Sequence, residues 1–177
     1  MEKTGVSMMA VSFLSILFGV LAMFGKKPQP EATGSQHLAK AKAEGLSIER
    51  LILARTIYGE ARGEGRAGME AVASVILNRA AQGGWWGSTP SEVALKASQF
   101  SVWNVDDPNR AIIERLAPGE GDRVFDQAWE IAGRALDGKL GDRTNGATHY
   151  YAKSISAPYW TSSLTETARI GNHIFFT

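Results

Sequence analysis

An uncharged, mostly apolar stretch near the N-terminus, Gly5–Gly25, most constrains how this chain of 177 residues folds. As a helix it would span about 31 Å, which is roughly the hydrocarbon thickness of a bilayer. A buried core helix seldom runs this long without a polar face. We therefore predict that residues 1–27 are a signal peptide or a membrane anchor and lie outside the folded domain.

The residues that follow this segment, KKPQPEATGSQ, carry Pro, Gly, Ser and charges but show no apolar period. Such a composition is typical of a linker, which we assign to residues 28–45. The remaining residues, 46–177, are enough for one domain with a single hydrophobic core.

The charge balance and the lack of cysteine exclude several classes of function. The chain carries 19 basic and 18 acidic residues, a formal net charge of +1. Proteins that bind nucleic acid by neutralising many phosphates are far more basic, so no nucleic-acid partner is expected. Because the sequence has no cysteine, disulfides, thiolate nucleophiles and thiolate metal sites are excluded.

Apolar periodicity and capping residues predict a mostly helical domain. Helices are predicted from Ser47 to about Tyr58, from about Ala67 to Ala81, from the capping-box residue Thr89 to Lys96, and from Asp122 to Asp137. The second of these has an apolar stripe formed by Ala71, Val72, Val75 and Ile76. Residues 148–152 and 170–176 are expected to be extended. Because strands and helices do not alternate, the predicted class is α+β, mostly helical, and a dinucleotide-binding sheet is not expected.

The glycine-rich stretch after the first helix, Tyr58–Glu64, holds two carboxylates four residues apart. Cleavage of a glycosidic bond needs a carboxylic acid that stays protonated near neutral pH, and apolar surroundings provide one by disfavouring the ionised form. Glu60 emerges from the apolar helix and is the candidate catalytic acid. Glu64 is a possible second carboxylate, or it pairs with Arg62 or Arg66. Both could equally be ordinary surface groups at a helix end.

A second group of residues combines aromatic rings with amide and hydroxyl groups at loop or strand positions. Rings that stack on sugar faces, and amides that bond sugar hydroxyls, would suit a polysaccharide groove. The candidate substrate-binding residues are Gln99, Phe100, Ser101, His149, Tyr150, Tyr151 and Trp160. Any one of the aromatic residues could instead belong to the core.

The sequence carries no motif for a metal or for an activated serine. Its three histidines are His37, His149 and His173, and they form no HExxH or H-x-H spacing. A zinc site made from the last two and a carboxylate has no support in the spacing. No G-x-S-x-G, P-loop or dinucleotide fingerprint is present. We therefore expect no metal and no cofactor.

Several blocks of residues occur in an order that matches a known family. The most specific block is ARTIYGEARGE at residues 54–64, followed by Gly68 and AVASVILNR at residues 71–79. Shorter blocks follow in order, namely QFS at 99–101, GATHYY at 146–151, Trp160 and IGNHIF at 170–175. Together they closely resemble the SleB-type cell wall hydrolases, which are named for the spore cortex-lytic enzyme. The resemblance covers about residues 46–177.

This resemblance implies a single domain with a fold like those of lysozymes and lytic transglycosylases. It implies cleavage of peptidoglycan glycan strands between N-acetylmuramic acid and N-acetylglucosamine, by a lytic transglycosylase or a muramidase, without a metal. The catalytic glutamate of the family corresponds to Glu60. Family members typically have Gln where this chain has Met69, which we expect to alter packing or a groove contact rather than the chemistry.

The expected partners are peptidoglycan and, through residues 5–25, the bacterial inner membrane. The domain would be membrane-anchored or exported to the periplasm or cell wall. Spore enzymes of this family often add a peptidoglycan-binding domain that is not found in this sequence, so wall remodelling or phage lysis is the expected role. The alternatives are a non-catalytic wall-binding or structural module and a zinc-dependent peptidoglycan amidase.

Overall fold

The computed structural model of the protein describes residues 34–45 and 47–177. This part of the chain is mostly helical with one small sheet, which confirms the predicted α+β class. In chain order its elements are α1 (Gly34–Ala43), α2 (Ile48–Ala61), α3 (Gly65–Gln82), α4 (Pro90–Leu95), a first 3₁₀ helix (Ser101–Trp103), α5 (Arg110–Ile113), α6 (Arg123–Leu136), β1 (His149–Ala152), a second 3₁₀ helix (Tyr159–Ser163), β2 (Glu166–Ile170) and β3 (His173–Phe176).

Helix α2 lies at the centre of the helical core. Every residue from Leu51 to Ile57 is buried, because α3, α4 and α6 pack around this helix. One of these residues is Arg55, whose guanidinium donates to the Leu116 carbonyl at 2.9 and 3.2 Å. Burial lowers the pKa of Arg55 to about 10, so the side chain stays charged at neutral pH. The C-terminal end of α2, with Glu60, is therefore held by a well-packed core.

Helix α3 is buried on two sides, so the predicted apolar stripe is buried but is only part of the buried surface of the helix. The residues from Gly68 to Ile76 are buried without a break. On one side α3 packs against α2 and α6, and on the other Ala71 and Val75 pack against Phe175 of the sheet. A helix that lies between two layers needs small or apolar residues around most of its circumference.

Three helices begin at an N-cap residue, and the sequence predicts two of these caps, Ser47 and Thr89. Side-chain oxygens of Ser47, Thr89 and Asp122 each accept a backbone N–H from the first turn of the helix that follows. The predicted capping box at Thr89 is only half formed. The Glu92 carboxylate accepts from the Ser88 N–H at 2.7 Å instead of returning to the N-cap residue.

The sheet contains three antiparallel strands in the order β1-β3-β2. The sequence predicted one extended segment over 170–176, but a tight turn at Gly171 and Asn172 divides it into the end of β2 and the whole of β3. Gly171 has a φ of 55°, where glycine is favoured. A side chain there would also collide with the Glu64 carboxylate. Because of this turn, β3 becomes the middle strand and pairs with both of the others.

The predicted membrane segment, residues 5–25, lies outside the residues that the structure describes. Across residues 34–45 and 47–177, no helix has the length and apolar character needed to cross a bilayer. The stretch predicted as a linker, 28–45, differs from that prediction where it is described. Gly34–Ala43 forms α1, and Ala41 is buried against the helical core.

A buried carboxylate, Glu70, joins α3 to α6 and to the segment before β1. Its side chain is only 4% exposed and accepts bonds from Arg66 at 3.0 Å, from Arg134 at 3.2 Å and from Arg143. Burial acts to raise the pKa of Glu70, but the bonds from Arg143 and Arg66 outweigh it, so the pKa lies below its usual value. The carboxylate is therefore charged and ties three segments together.

Replacing Glu70 by alanine should lower the free energy of unfolding by about 1.5–3 kcal/mol, because it removes the charge-assisted hydrogen bonds that tie three segments together. The matched control is Glu130→Ala. It removes a half-exposed carboxylate that contacts Arg66 and Arg134, and it should cost under about 1 kcal/mol. Urea unfolding followed by circular dichroism measures both losses. Equal losses would contradict the special role of Glu70.

Candidate active site

Glu60 lies in the last turn of α2, and donors from two distant segments converge on its carboxyl group. The Tyr150 hydroxyl, on β1, donates to Oε2 at 3.0 Å. The Val102 backbone N–H, in the first 3₁₀ helix, approaches Oε1 at 3.4 Å. Because Glu60 is half-buried, its carboxyl group is held in one place and still reaches the surface.

The surroundings of Glu60 favour its protonated form. Burial raises the pKa of the Glu60 carboxyl, and the hydrogen bonds from Tyr150 and Val102, which favour the carboxylate, offset only part of that rise. The negative charge of Asp107 adds to the rise, whereas the positive charge of Arg79 opposes it. A carboxyl group with a raised pKa retains its proton closer to neutral pH, as a general acid requires.

A glycine allows the segment that carries Val102 to approach α2. A Cβ added at Gly59 would overlap the Val102 side chain, with the two Cβ atoms 2.9 Å apart. The Trp103 indole N–H donates to the buried Thr56 hydroxyl at 2.9 Å and fixes the same segment against the helix. The Val102 N–H reaches Glu60 because position 59 has no side chain.

Arg79 holds the two segments that supply these donors. Its guanidinium donates to the Thr148 carbonyl at 2.7 Å and to the Gln99 side-chain oxygen at 3.3 Å. It also lies 4.5 Å from the Trp86 ring centroid and 5.1 Å from that of Phe100. Burial lowers the pKa of Arg79 to about 10, so the group is charged at neutral pH. Arg79 was not predicted as a site residue, although an arginine within an apolar helix is a signal of a buried charge.

The predicted substrate-binding residues at positions 99–101 have different environments. Phe100 is 2% exposed and belongs to the core, which was the alternative to a substrate-binding role. Gln99 is half-buried, and its amide donates to the Trp86 carbonyl at 2.8 Å. Ser101 is exposed at the start of the first 3₁₀ helix. Phe100 and Gln99 therefore support the site, and Ser101 is the surface residue of the three.

The predicted residues on β1 lie on opposite faces of the sheet, because neighbouring residues of a strand alternate. Tyr150 faces α3 and joins the small core between that helix and the sheet. His149 and Tyr151 face the other way, and their rings lie 5.3 and 6.0 Å from the Trp160 ring. Tyr150 is the member of this group that bonds Glu60.

Glu64, the possible second carboxylate, makes a structural contact. Its oxygens accept the Asn172 backbone N–H at 2.7 Å and the Asn172 side-chain amide at 3.1 Å. The backbone bond is the main reason that the pKa of Glu64 is lowered. The pairing with Arg62 or Arg66 does not occur, because both guanidinium groups bond other side chains. Glu64 therefore fastens the β2–β3 turn to the start of α3.

The two histidines of the sheet do not share a site. His149 pairs with Phe176 and His173 pairs with Ala152, which places the two imidazoles on opposite faces. The Nδ1 atom of His149 is bonded to the Thr148 hydroxyl at 3.0 Å. In the described ranges, 34–45 and 47–177, no three His, Asp or Glu side chains lie close enough together to hold a metal ion.

The sequence of this domain matches a model of a known protein family. The model of the cell wall hydrolases matches residues 63–176, which is more than half of the chain. The chain belongs to this family. The matched region of this cell wall hydrolase includes Arg79, Gln99 and Tyr150, and it begins just after Glu60.

Two curated relatives of this cell wall hydrolase are spore cortex-lytic enzymes. The chain is 35% identical over 129 residues to the enzyme of Halalkalibacterium halodurans, a match that covers 70% of this chain and 33% of the relative. It is 30% identical over 126 residues to the enzyme of Bacillus cereus, a match that covers 70% of this chain and 42% of the relative. The chain thus spans well under half the length of these relatives.

Two solved structures have a similar fold. The catalytic domain of the Bacillus cereus SleB protein matches with a TM-score of 0.57 and 28% identity, over 73% of this chain and 89% of that chain. The catalytic domain of the germination-specific lytic transglycosylase SleB from Bacillus anthracis matches with the same TM-score and identity, over 73% of this chain and 93% of that chain. Both matches confirm the predicted SleB-type fold.

Replacing Gly59 by alanine should destabilise this cell wall hydrolase, although alanine normally stabilises a helix relative to glycine by about 1 kcal/mol. The new methyl group must displace Val102, and such overpacking costs about 1–3 kcal/mol. Gly63→Ala is the matched control, since a Cβ there meets nothing within 4 Å. Thermal unfolding measures both variants. A higher melting temperature for Gly59→Ala would show that the close approach is not required.

Proposed function

We propose that this domain cleaves peptidoglycan glycan strands between N-acetylmuramic acid and N-acetylglucosamine, with Glu60 as the general acid. The observation that carries the proposal is a half-buried carboxyl group whose pKa is raised chiefly by burial. Membership of the cell wall hydrolase family and the likeness to two SleB catalytic domains support this substrate class.

In the proposed reaction Glu60 begins in its protonated form. Its proton passes to the glycosidic oxygen as the bond to C1 of the muramic acid breaks, which leaves positive charge on the sugar and a carboxylate on the enzyme. The Tyr150 hydroxyl and the Val102 N–H would stabilise that carboxylate, since hydrogen bonds to the charged form favour it. The same two contacts that limit the pKa of Glu60 thus assist bond breaking.

Glu60 can complete the reaction without a second carboxylate. As a carboxylate it takes the proton of the 6-hydroxyl of the muramic acid, whose oxygen then bonds to C1 and closes a 1,6-anhydro ring. No water is consumed, and Glu60 returns to its protonated form. We favour this lytic transglycosylase route over hydrolysis because Glu64 is engaged by Asn172. The similar Bacillus anthracis protein is itself described as a lytic transglycosylase.

The variant Glu60→Gln should keep the fold and lower the release of soluble muropeptides from purified sacculi by about 10²–10⁴-fold, because an amide cannot donate this proton. The matched control, Glu64→Gln, should retain most of the activity, since its side chain bonds the β2–β3 turn. Mass spectrometry of the products is the measurement. The wild-type products should end in 1,6-anhydromuramic acid, which is lighter than a reducing end by one water.

Each alternative predicts a different result in this experiment. Products with reducing ends would show that the enzyme is a hydrolase and not a transglycosylase. Near-normal digestion by Glu60→Gln would show that another residue is the general acid. Release of stem peptides from intact glycan strands would favour the amidase. Binding of the wild-type chain to sacculi without any release would favour the non-catalytic wall-binding module.

The pH dependence of the activity should report the bond between Tyr150 and Glu60. This bond lowers the pKa of Glu60, so its loss in Tyr150→Phe should raise that pKa further. A general acid works while it is protonated, and activity falls as the pH rises through its pKa. The alkaline limb of the pH profile should therefore move to higher pH in the variant. The charges of Asp107 and Arg79, which also act on Glu60, remain in place. Initial rates across the pH range measure the limb, and a shift to lower pH would contradict this assignment.

We also propose that residues 1–27 direct the domain to the wall side of the inner membrane, either as a cleaved signal or as an anchor through residues 5–25. The support is the long uncharged stretch at Gly5–Gly25 together with a substrate that lies outside the cytoplasm. Wall remodelling and phage lysis both fit such an arrangement. Recovery of the full-length chain in the soluble cytoplasmic fraction would contradict it.

A further inference from the structure

A continuous row of aromatic rings extends from the sheet face that points away from α3 to the loop that follows α3. Trp85 contacts Trp86 with 4.9 Å between ring centroids, Trp86 contacts His149 at 5.3 Å, and His149 contacts Trp160 at 5.3 Å. Trp160 in turn contacts Tyr151 at 6.0 Å. We call these five residues the aromatic platform.

Trp86, in the middle of the platform, is fixed by three contacts. Its indole N–H donates to the Gln82 side-chain oxygen at 3.1 Å. Its backbone carbonyl accepts from the Gln99 amide at 2.8 Å. The Arg79 guanidinium packs on its ring. The loop between α3 and α4 therefore presents its tryptophans in a defined orientation.

Trp85, at the outer end of the platform, is fixed and still exposed. The Lys96 ammonium group bonds its backbone carbonyl and lies 4.8 Å from its ring centroid. Nevertheless, 64% of the Trp85 surface is accessible. Single exposed apolar residues are common, but an exposed indole that continues a fixed row of rings is typical of a binding surface.

The platform and the candidate acid are carried by the same segments. Strand β1 contributes His149 to the platform, and the next residue, Tyr150, bonds Glu60. Residues 99–102 hold the Trp86 carbonyl at one end and reach the acid at the other. A glycan strand extends over many sugars on either side of the bond that is cleaved, so its distal sugars can reach a second surface carried by the same segments.

We propose that the aromatic platform binds sugar rings of the glycan strand away from the cleaved bond, with Trp85 as its outermost contact. Sugars suit this surface because their C–H faces pack on aromatic rings while their hydroxyls need polar partners. The Lys96 ammonium lies beside the Trp85 ring, and the Gln82 amide lies beside the Trp86 ring. Both can supply such partners. The inference rests on the proposed function, since it takes peptidoglycan as the substrate.

The test uses full-length chains that also carry Glu60→Gln, so that the glycan stays intact, and peptide-free glycan strands as the ligand. Trp85→Ala should weaken binding about three- to tenfold, the size of one ring contact, and Trp85→Phe should restore most of the affinity. The control Val124→Ala removes an exposed apolar side chain at the start of α6 and should bind as the parent does. Affinity electrophoresis through gels that contain the glycan measures all four chains.

In the active enzyme, Trp85→Ala should raise KM for long strands more than KM for short oligosaccharides, which are too short to reach the platform. Unchanged affinity of Trp85→Ala for the glycan would overturn the platform. So would an altered oligomeric state with unchanged glycan affinity, which would assign Trp85 to a contact between copies of the chain. A wild-type chain that binds glycan through Trp85 but cleaves nothing would refute the proposed function and support the platform.

Discussion

The guanidinium of Arg79 lies where α3, the segment before the first 3₁₀ helix and the start of β1 come together. A buried cation is costly unless its N–H groups are bonded, and here a carbonyl oxygen, an amide oxygen and two ring faces surround it. Since the carbonyl belongs to Thr148 and the amide to Gln99, satisfying Arg79 fixes the segments that carry Tyr150 and Val102. The donors to Glu60 are thus positioned by a charge that acts through other residues.

The candidate acid is subject to opposing influences, of which burial is the largest. Burial favours the neutral carboxyl group, whereas two hydrogen bonds and the charge of Arg79 favour the carboxylate. A residue that must give up a proton and then take one back needs both forms to be accessible. The arrangement around Glu60 suits this requirement better than a fully apolar pocket, which would hold the proton too tightly, or an exposed position, which would release it too early.

Features that depend on neighbouring residues could be predicted from the sequence, and features that depend on distant residues could not. The caps at Ser47 and Thr89 can be predicted because the capping bond lies within one turn. The donors to Glu60 come from 42 and 90 positions away, and no local pattern indicates them. The three adjacent aromatic residues His149, Tyr150 and Tyr151 illustrate the same limit of prediction from local sequence. Aromatic residues that follow one another do not reveal which face of a strand meets the core.

The resemblance to a known family indicates Glu60 as the candidate acid, and the tertiary contacts show which groups surround it. Glu64 looks like a partner for Glu60 in the sequence, since it lies only four positions further along the chain. In the structure it bonds Asn172, 108 positions further along the chain. The same contact explains the turn at Gly171, where any side chain would occupy the space of the Glu64 carboxylate. The contact between Glu64 and Asn172 therefore explains two differences from the sequence prediction. It keeps Glu64 from pairing with Glu60, and it lies at the turn that divides the predicted strand.

The central position of β3 affects when the site can form during synthesis. Strand β1 pairs with β3 alone, so it has no neighbour until translation has passed Phe176. Until then Tyr150 has no sheet to hold it, and Glu60 lacks one of its two donors. We therefore expect the Glu60 carboxyl group to acquire both of its donors only after β3 has paired with β1.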